Sequence, residues 1–203
     1  MIYLVFGRVL LHTPTEGDHS ISVPDFEKLG VPVLAPEHVF NSFNMKPSVV
    51  AIQKKKYHFG GYSIIPFNAF HDVPTLGYFI HHSDMGNLVF ITDSFMTENV
   101  FKNVNHILIE CNYSDEALDE AIACGHTHLA MKKRLMTTHM ELGTTVKFLK
   151  AHDLSNVYNI ILLHLSKFNS DRKQFIEVIA QKTGRIAMIA EAGMKVELAN
   201  NPY

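Results

Sequence analysis

The sequence predicts an α/β protein with strands packed inside and helices outside. Two observations support this prediction: the first half is rich in β-like segments joined by tight turns, and the second half alternates strands with helices. Such a mixed order is typical of layered α/β architectures. A length of 203 residues suits one domain with a full core, which we place over residues 1–203.

In the first half, the apolar run 2–11 predicts one buried strand, because Arg8 is its only charged residue. Ser22 and Pro24 mark the start of a short helix that ends near Gly30, since serine is a favoured N-cap and proline fits the first turn. Gly60-Gly61 is a hairpin turn. The remaining β-like segments of this half are 31–34, 49–52, 57–59, 62–67, 77–80 and 88–91.

The pattern changes after Asp93. Apolar runs predict buried strands over 107–109 and 159–163, and apolar residues at helical spacing predict a helix over 140–152. Further helices are expected over 95–104, over 115–124 with Ser114 as N-cap, and from Ser170 to Thr183. Strands over 186–189 and 194–198 close the predicted fold.

Composition narrows the function classes. The formal charge of −2 gives no general attraction to nucleic acid or to an anionic membrane, although Lys54-Lys55-Lys56 forms a local basic patch. No apolar run reaches transmembrane length, and the start of the chain does not resemble a secretory signal. Two cysteines, Cys111 and Cys124, read as reduced thiols, so we expect a cytoplasmic protein without membrane contact.

Four predicted strands end on residues that commonly bind metals. The strand 2–11 leads to Glu16, Asp18 and His19; the later segments lead to His71-Asp72, to Asp93 and to His164. Each has an ordinary structural explanation when taken alone: a turn at His71, a helix N-cap at Asp93, a core histidine at His164. Taken together they predict a site at the carboxyl ends of the strands, with a donor set suited to Zn²⁺ or Mn²⁺.

The order Asp18-His19, His71, Asp93, His164 resembles the ligand order of the metallo-β-lactamase superfamily. The resemblance extends over nearly the whole chain and is strongest to small phage and bacterial hydrolases. The segments that carry it are 70–78, 91–94, 110–113, 138–140 and 161–166. It implies an αββα sandwich with two metals at one edge. Because the motif lies only a dozen residues from Met1, either the N-terminal sheet is truncated here or the chain start is not the ancestral one.

The chain departs from the family's His-x-His-x-Asp-His motif, since Pro14 and Glu16 stand where the two leading histidines belong. The resemblance implies that Asp18, His19, Asp93 and His164 hold one metal, with Asp93 bridging. The second metal would be held by Asp93, His71 and Glu16.

The resemblance also suggests roles beyond the metal ligands. Asp18 takes part in catalysis, and His139 is placed like the family's loop histidine, which would donate a proton to the leaving oxygen or steady the phosphate. An alternative for His139 is a plain helix-entry residue. Candidate substrate-binding residues are Arg134, Asn112, Ser166 and Asn169.

Three functions remain open at this point. The first is a phosphodiesterase that uses one or two divalent ions (Zn or Mn) and a metal-activated water to cleave a small nucleotide, such as a cyclic nucleotide. The second is a nuclease, which a basic track would favour. The third is a degenerate, catalytically inactive member that retains the fold as a binding or structural protein. A shortened first sheet would leave apolar surface uncovered, so we expect a homodimer.

Overall fold

The computed structural model describes residues 4–6, 9–11 and 23–200, and the side chains of Leu11 and of residues 23–200. Its strands are β1 (Leu4–Phe6), β2 (Val9–Leu11), β3 (Val33–Ala35), β4 (Val49–Val50), β5 (Tyr57–Phe59), β6 (Tyr62–Ala69), β7 (Thr75–His82), β8 (Gly86–Ile91), β9 (His106–Glu110), β10 (Asn159–Leu163) and β11 (Met188–Ile189). Its helices are α1 (Val23–Lys28), α2 (Glu37–Ser42), α3 (Asp115–Ala123), α4 (Leu129–Thr138), α5 (Leu142–Lys150) and α6 (Arg172–Thr183).

The strands form two sheets. The first has the order β1-β2-β3-β4, and the second has the order β11-β10-β9-β8-β7-β6-β5. In the second sheet β5 to β8 form an antiparallel meander, whereas β8, β9, β10 and β11 run parallel. Parallel pairing requires long crossovers, and α3 to α5 supply the one between β9 and β10. The carboxyl ends of β8, β9 and β10 therefore lie side by side.

Three apolar clusters hold the layers together. One contains Leu11 and Leu34 of the first sheet and Ile64 and Leu88 of the second, so it fills the space between the sheets. Another packs the opposite face of the second sheet against α5 and α6, and the third packs α1 and α2 against β3. The layers thus follow the order helix, sheet, sheet, helix, which confirms the predicted αββα architecture.

The parallel strands are buried along their length. All five residues of β9, including Glu110, are buried, and so are the last four of β10. A continuous apolar run suits a strand that is covered on both faces. Within the described residues, no helix has the length and apolar character that a membrane span requires.

Several sequence predictions differ from the structure. The run 2–11 contains two antiparallel strands with Phe6 opposite Val9, rather than one strand. The helix expected over 95–104 is wrong: that segment is irregular, and Phe95 donates its backbone N–H to Phe70 O instead of to a helical carbonyl. The strand expected over 194–198 does not form, and helices α2 and α4 were not expected.

Candidate metal centre

Asp93 follows β8 and is completely buried. Its backbone has φ = 52°, in the left-handed region that few residues other than glycine, asparagine and aspartate adopt. The N-cap explanation for this residue fails, since the segment 95–104 that follows it is irregular and the next helix, α3, begins only at Asp115. A buried carboxylate on a strained backbone at a strand end is a common feature of functional sites.

His164 follows β10 and has a similar left-handed backbone, with φ = 57°. Its Nδ1 lies 3.0 Å from Asp93 Oδ1 and 3.3 Å from Glu110 Oε1. Burial by itself lowers the pKa of this imidazole, but the hydrogen bonds and charges of Asp93 and Glu110 outweigh that effect and raise the pKa to about 10. The two carboxylates therefore favour a positive charge at this position.

Glu110 is the residue that the sequence analysis missed as a site member. It ends β9, its side chain is 0 % exposed, and its Oε2 accepts the backbone N–H of Ser94 at 2.7 Å. Its Oε1 accepts from His139 Nδ1 at 2.7 Å. The signal was present, because Glu110 is a carboxylate at the end of an apolar strand, like Asp93, and it belongs to a segment that carries the family resemblance.

His139 lies between α4 and α5 and is the C-cap of α4. Its ring centroid is 5.0 Å from that of His164 and 5.9 Å from that of His71. One potential ligand atom from each of Asp93, His139 and His164 falls in a group whose members all lie within 4.8 Å of one another. His139 is therefore part of the cluster and more than a helix-entry residue.

His71 lies beside this group, following the bridge between Phe70 and Met96. Its Nδ1 is 2.5 Å from Asp72 Oδ1, and its side chain is only 6 % exposed. Arg134 Nε is 4.0 Å from Asp72 Oδ2, so Asp72 connects this arginine to the His71 side of the cluster. Arg134 is 59 % exposed and faces solvent at this margin.

The other three predicted substrate-binding residues make bonds within the fold. Asn112 Nδ2 donates to His164 O at 2.7 Å, and Asn112 O accepts from Ser166 N at 2.8 Å. Asn169 O accepts from Ser114 N at 3.2 Å, and its Oδ1 accepts from Thr127 Oγ1 at 2.6 Å. These contacts hold the loop after β10 in place, and Asn112 fixes the carbonyl of His164 directly.

Glu16, Asp18 and His19 lie outside the described residues, so their predicted roles as ligands, and that of Asp18 in catalysis, stay predictions. The described part of the cluster still allows a test of whether a metal fits. The imidazole of His164 and the buried carboxylate of Asp93 are donors suited to Zn²⁺ or Mn²⁺, and His139 is close enough either to bind the same ion or to act on a substrate beside it. The carboxylates of Asp93 and Glu110, which lie 3.0 Å and 3.3 Å from His164 Nδ1, also make the surroundings favourable to a cation. The residues present therefore fit a divalent metal.

No protein-family model matches the sequence, and no curated protein matches it closely. Solved structures do match. The metallo-β-lactamase fold protein YhfI from Bacillus subtilis superposes with a TM-score of 0.68 at 15 % identity, covering 92 % of this chain and 76 % of that protein. An isothiocyanate hydrolase from Delia radicum gut bacteria gives a TM-score of 0.62 at 13 % identity, covering 94 % of this chain and 76 % of its own.

A diphosphatase from the PhnP family gives a TM-score of 0.60 at 15 % identity, over 95 % of this chain and 72 % of its own. Identities this low speak for the fold alone, and the fold agrees with the helix, sheet, sheet, helix layers and with a cluster of histidine and carboxylate side chains at one sheet edge. The protein therefore has the metallo-β-lactamase fold.

Proposed function

We propose that the protein is a metal-dependent hydrolase that cleaves a phosphodiester in a small nucleotide. One observation carries the proposal: Asp93, His139 and His164 converge within 4.8 Å. Support also comes from structural neighbours that are described as hydrolases, among them a diphosphatase. The formal charge of −2 favours a small substrate over a long polyanion.

In this proposal Asp93 and His164 bind the metal together with Asp18 and His19. A divalent ion held there supplies Lewis-acid chemistry and an acidified water. Glu110 orients His164 from the side, as carboxylates commonly do for metal-binding imidazoles. His71, with Glu16, offers a second and weaker position, because it provides fewer ligands.

His139 acts as the proton donor to the leaving oxygen. Its Nδ1 donates to the buried Glu110 carboxylate, which fixes the ring and leaves Nε2 as the atom that exchanges a proton with the substrate. Arg134 stands at the solvent side of His71, where a guanidinium can bind a phosphate oxygen pair.

The first test is metal content together with hydrolysis of bis-para-nitrophenyl phosphate. We expect at least one transition ion per chain after incubation with Mn²⁺ or Zn²⁺. The variant Asp93→Asn should lose the ion and lower turnover by more than the roughly 10–100-fold that loss of a group supporting a metal ligand typically costs. Asparagine preserves the side-chain shape and tolerates the left-handed backbone. Asp84→Asn is the matched control, because Asp84 is exposed and lies at the other end of the sheet.

Two further results distinguish the alternatives. If no ion binds to the purified protein under any of these conditions, the enzyme proposal is wrong and the fold serves a binding role. If single-stranded DNA is cleaved and cyclic nucleotides are not, the protein is a nuclease. His139→Ala should retain the ion and lose turnover; loss of the ion would make His139 a ligand instead of a proton donor.

A further inference from the structure

A second cleft lies on the seven-stranded sheet, away from the metal centre. It has a volume of about 470 Å³, and its walls come from β5 to β8 and from the loop before β5. Asn87, near the start of β8, lies in this cleft, whereas Asp93 follows the end of the same strand. The cleft and the metal centre are therefore at opposite ends of β8.

Four lining residues form one row across four strands. His58 of β5 is paired with Ser63 of β6, Ser63 is paired with His81 of β7, and His81 is paired with Asn87 of β8. Residues directly opposite each other on paired strands point to the same face, with Cβ atoms roughly 5 Å apart. The pairing therefore gathers two imidazoles, a hydroxyl and an amide on one surface.

The hydrogen bonds determine which atoms of this row remain available to a ligand. Asn87 Nδ2 donates to Asn103 O at 2.7 Å, so its Oδ1 is the atom that accepts from His81 Nδ1 at 2.8 Å. That bond leaves His81 Nε2 for a ligand. Ser63 Oγ is buried and makes no hydrogen bond within the described chain. A buried hydroxyl without a hydrogen-bond partner requires an explanation, and a bound ligand that supplies the partner is one explanation.

The charges around the row favour an anion. Lys56 lines the cleft, and Lys54 and Lys55 are exposed just before it. Among the described residues, the cleft lining contains no aspartate or glutamate. In the adjoining turn Asp84 faces His82, at 3.9 Å from its Nδ1, and is not part of the lining.

We propose that this cleft binds a phosphate group, either inorganic phosphate or a small phosphate monoester. Lys56 supplies charge, Ser63 donates its hydroxyl, and His81 in its imidazolium form donates from Nε2. Such charge-assisted hydrogen bonds are the stronger kind. Two imidazoles alone could instead hold a transition ion, but the ammonium of Lys56 opposes a cation and the described lining offers no carboxylate to balance one. The site is independent of the proposed hydrolase activity.

Calorimetric titration of the full-length protein with inorganic phosphate tests the proposal. Lys56→Gln should weaken phosphate binding about tenfold, the usual loss for a bond to a charged group. Lys46→Gln is the matched control, since Lys46 is exposed and lies outside the cleft. Ser63→Ala should weaken binding several-fold and leave the melting temperature unchanged, because its hydroxyl makes no bond that the described fold needs.

Two comparisons sharpen the result. Titration with glycerol 3-phosphate beside inorganic phosphate shows which form is preferred, and either preference supports the site. Sulfate is a tetrahedral dianion of similar size, and it should compete with phosphate for the cleft.

The proposal is wrong if Lys56→Gln and Ser63→Ala bind phosphate as tightly as the wild type. It is also wrong if His81→Gln abolishes binding of Ni²⁺ and leaves phosphate affinity unchanged. Asp93→Asn should leave phosphate affinity at the cleft intact, so failure here is distinct from failure of the hydrolase proposal.

Discussion

Two histidines at opposite ends of the parallel strands differ in pKa because the groups around their imidazoles differ. His106 begins β9 and is fully buried. Its Nε2 donates to Met85 O at 2.9 Å, and its Nδ1 accepts from Asn159 Nδ2 at 3.0 Å. Burial lowers the pKa of this imidazole, and the hydrogen bonds to backbone carbonyls only partly oppose that shift. His106 is therefore a neutral, structural residue.

His164 follows the neighbouring strand β10, its side chain is 28 % exposed, and its pKa is raised to about 10. The difference lies in the partners, because His164 faces the carboxylates of Asp93 and Glu110 where His106 faces a carbonyl and an amide. Loss of hydration lowers the pKa of both imidazoles, so it does not explain the difference between them. The difference is explained by the two carboxylates at the ends of β8 and β9.

Among the tests of this difference between His106 and His164, Glu110→Gln should have the largest effect, a loss of metal affinity. Glutamine can still accept the backbone N–H of Ser94, but it removes the negative charge beside both His139 and His164. Carboxylates that orient metal-binding histidines are worth about 10–100-fold in metal affinity or activity. We therefore expect Mn²⁺ or Zn²⁺ affinity, measured by competition with a chromogenic chelator, to fall by about that factor.

Glu98→Gln is the control for this experiment, since Glu98 is exposed and forms no part of the cluster. Unchanged metal affinity and unchanged turnover in Glu110→Gln would mean that the buried carboxylate is only a structural anchor for Ser94. The contrast between His106 and His164 would then lose its functional meaning.

A smaller effect should follow from Asn112→Ala. Asn112 is 4 % exposed and its amide holds the carbonyl of His164, whose backbone is in the left-handed region. Loss of this bond should lower the free energy of unfolding by about 1–2 kcal/mol, because a buried carbonyl is left without its donor. Metal affinity should fall by less than in Glu110→Gln, since both carboxylates remain. Urea denaturation measures the first quantity.

Asn156→Ala serves as the comparison, because the side chain of Asn156 is exposed. If Asn112→Ala changes stability no more than this control does, the bond between Asn112 and His164 contributes nothing to holding the metal-binding histidine.

The sequence could predict the layers and the strand-end positions of Asp93 and His164, because both follow uninterrupted apolar runs. It could not decide between a ligand and an N-cap for Asp93, since that depended on whether a helix follows. Glu110 escaped notice for a related reason. It ends a run of buried residues, and only the parallel register of β9 with β8 and β10 brings it beside the two histidines.

The errors in the fold have a similar origin. The segment 95–104 contains helix-compatible residues, yet its backbone bonds to distant partners: Phe95 N donates to Phe70 O and Phe101 N donates to His152 Nε2 at 3.0 Å. Helix α4 was missed because it lacks an apolar stripe; Leu129 and Met136 are 67 % and 50 % exposed. Local sequence patterns predict helices that bury an apolar stripe. The segment 95–104 instead takes its form from long-range contacts, and α4 forms through helix propensity alone.

The smallest predicted effect concerns the neutral member of the pair and appears as a change in pH dependence. The pKa of His106 in the folded protein is below its ordinary value of 6.5. As the pH falls below about 6.5, the unfolded chain therefore binds a proton at this residue before the folded chain does. The resulting stability is present above about pH 6.5 and is lost as the pH falls below it, at no more than about 1.4 kcal/mol per pH unit.

His106→Gln removes this titration and keeps a donor for Met85 O. Urea denaturation at pH 5, 6, 7 and 8 should therefore show a flatter decline toward acid in the variant than in the wild type, with the offset at pH 8 reporting the lost bond to Asn159. Equal slopes would show that His106 takes up a proton without penalty, and the partners of the two histidines would then not explain their difference.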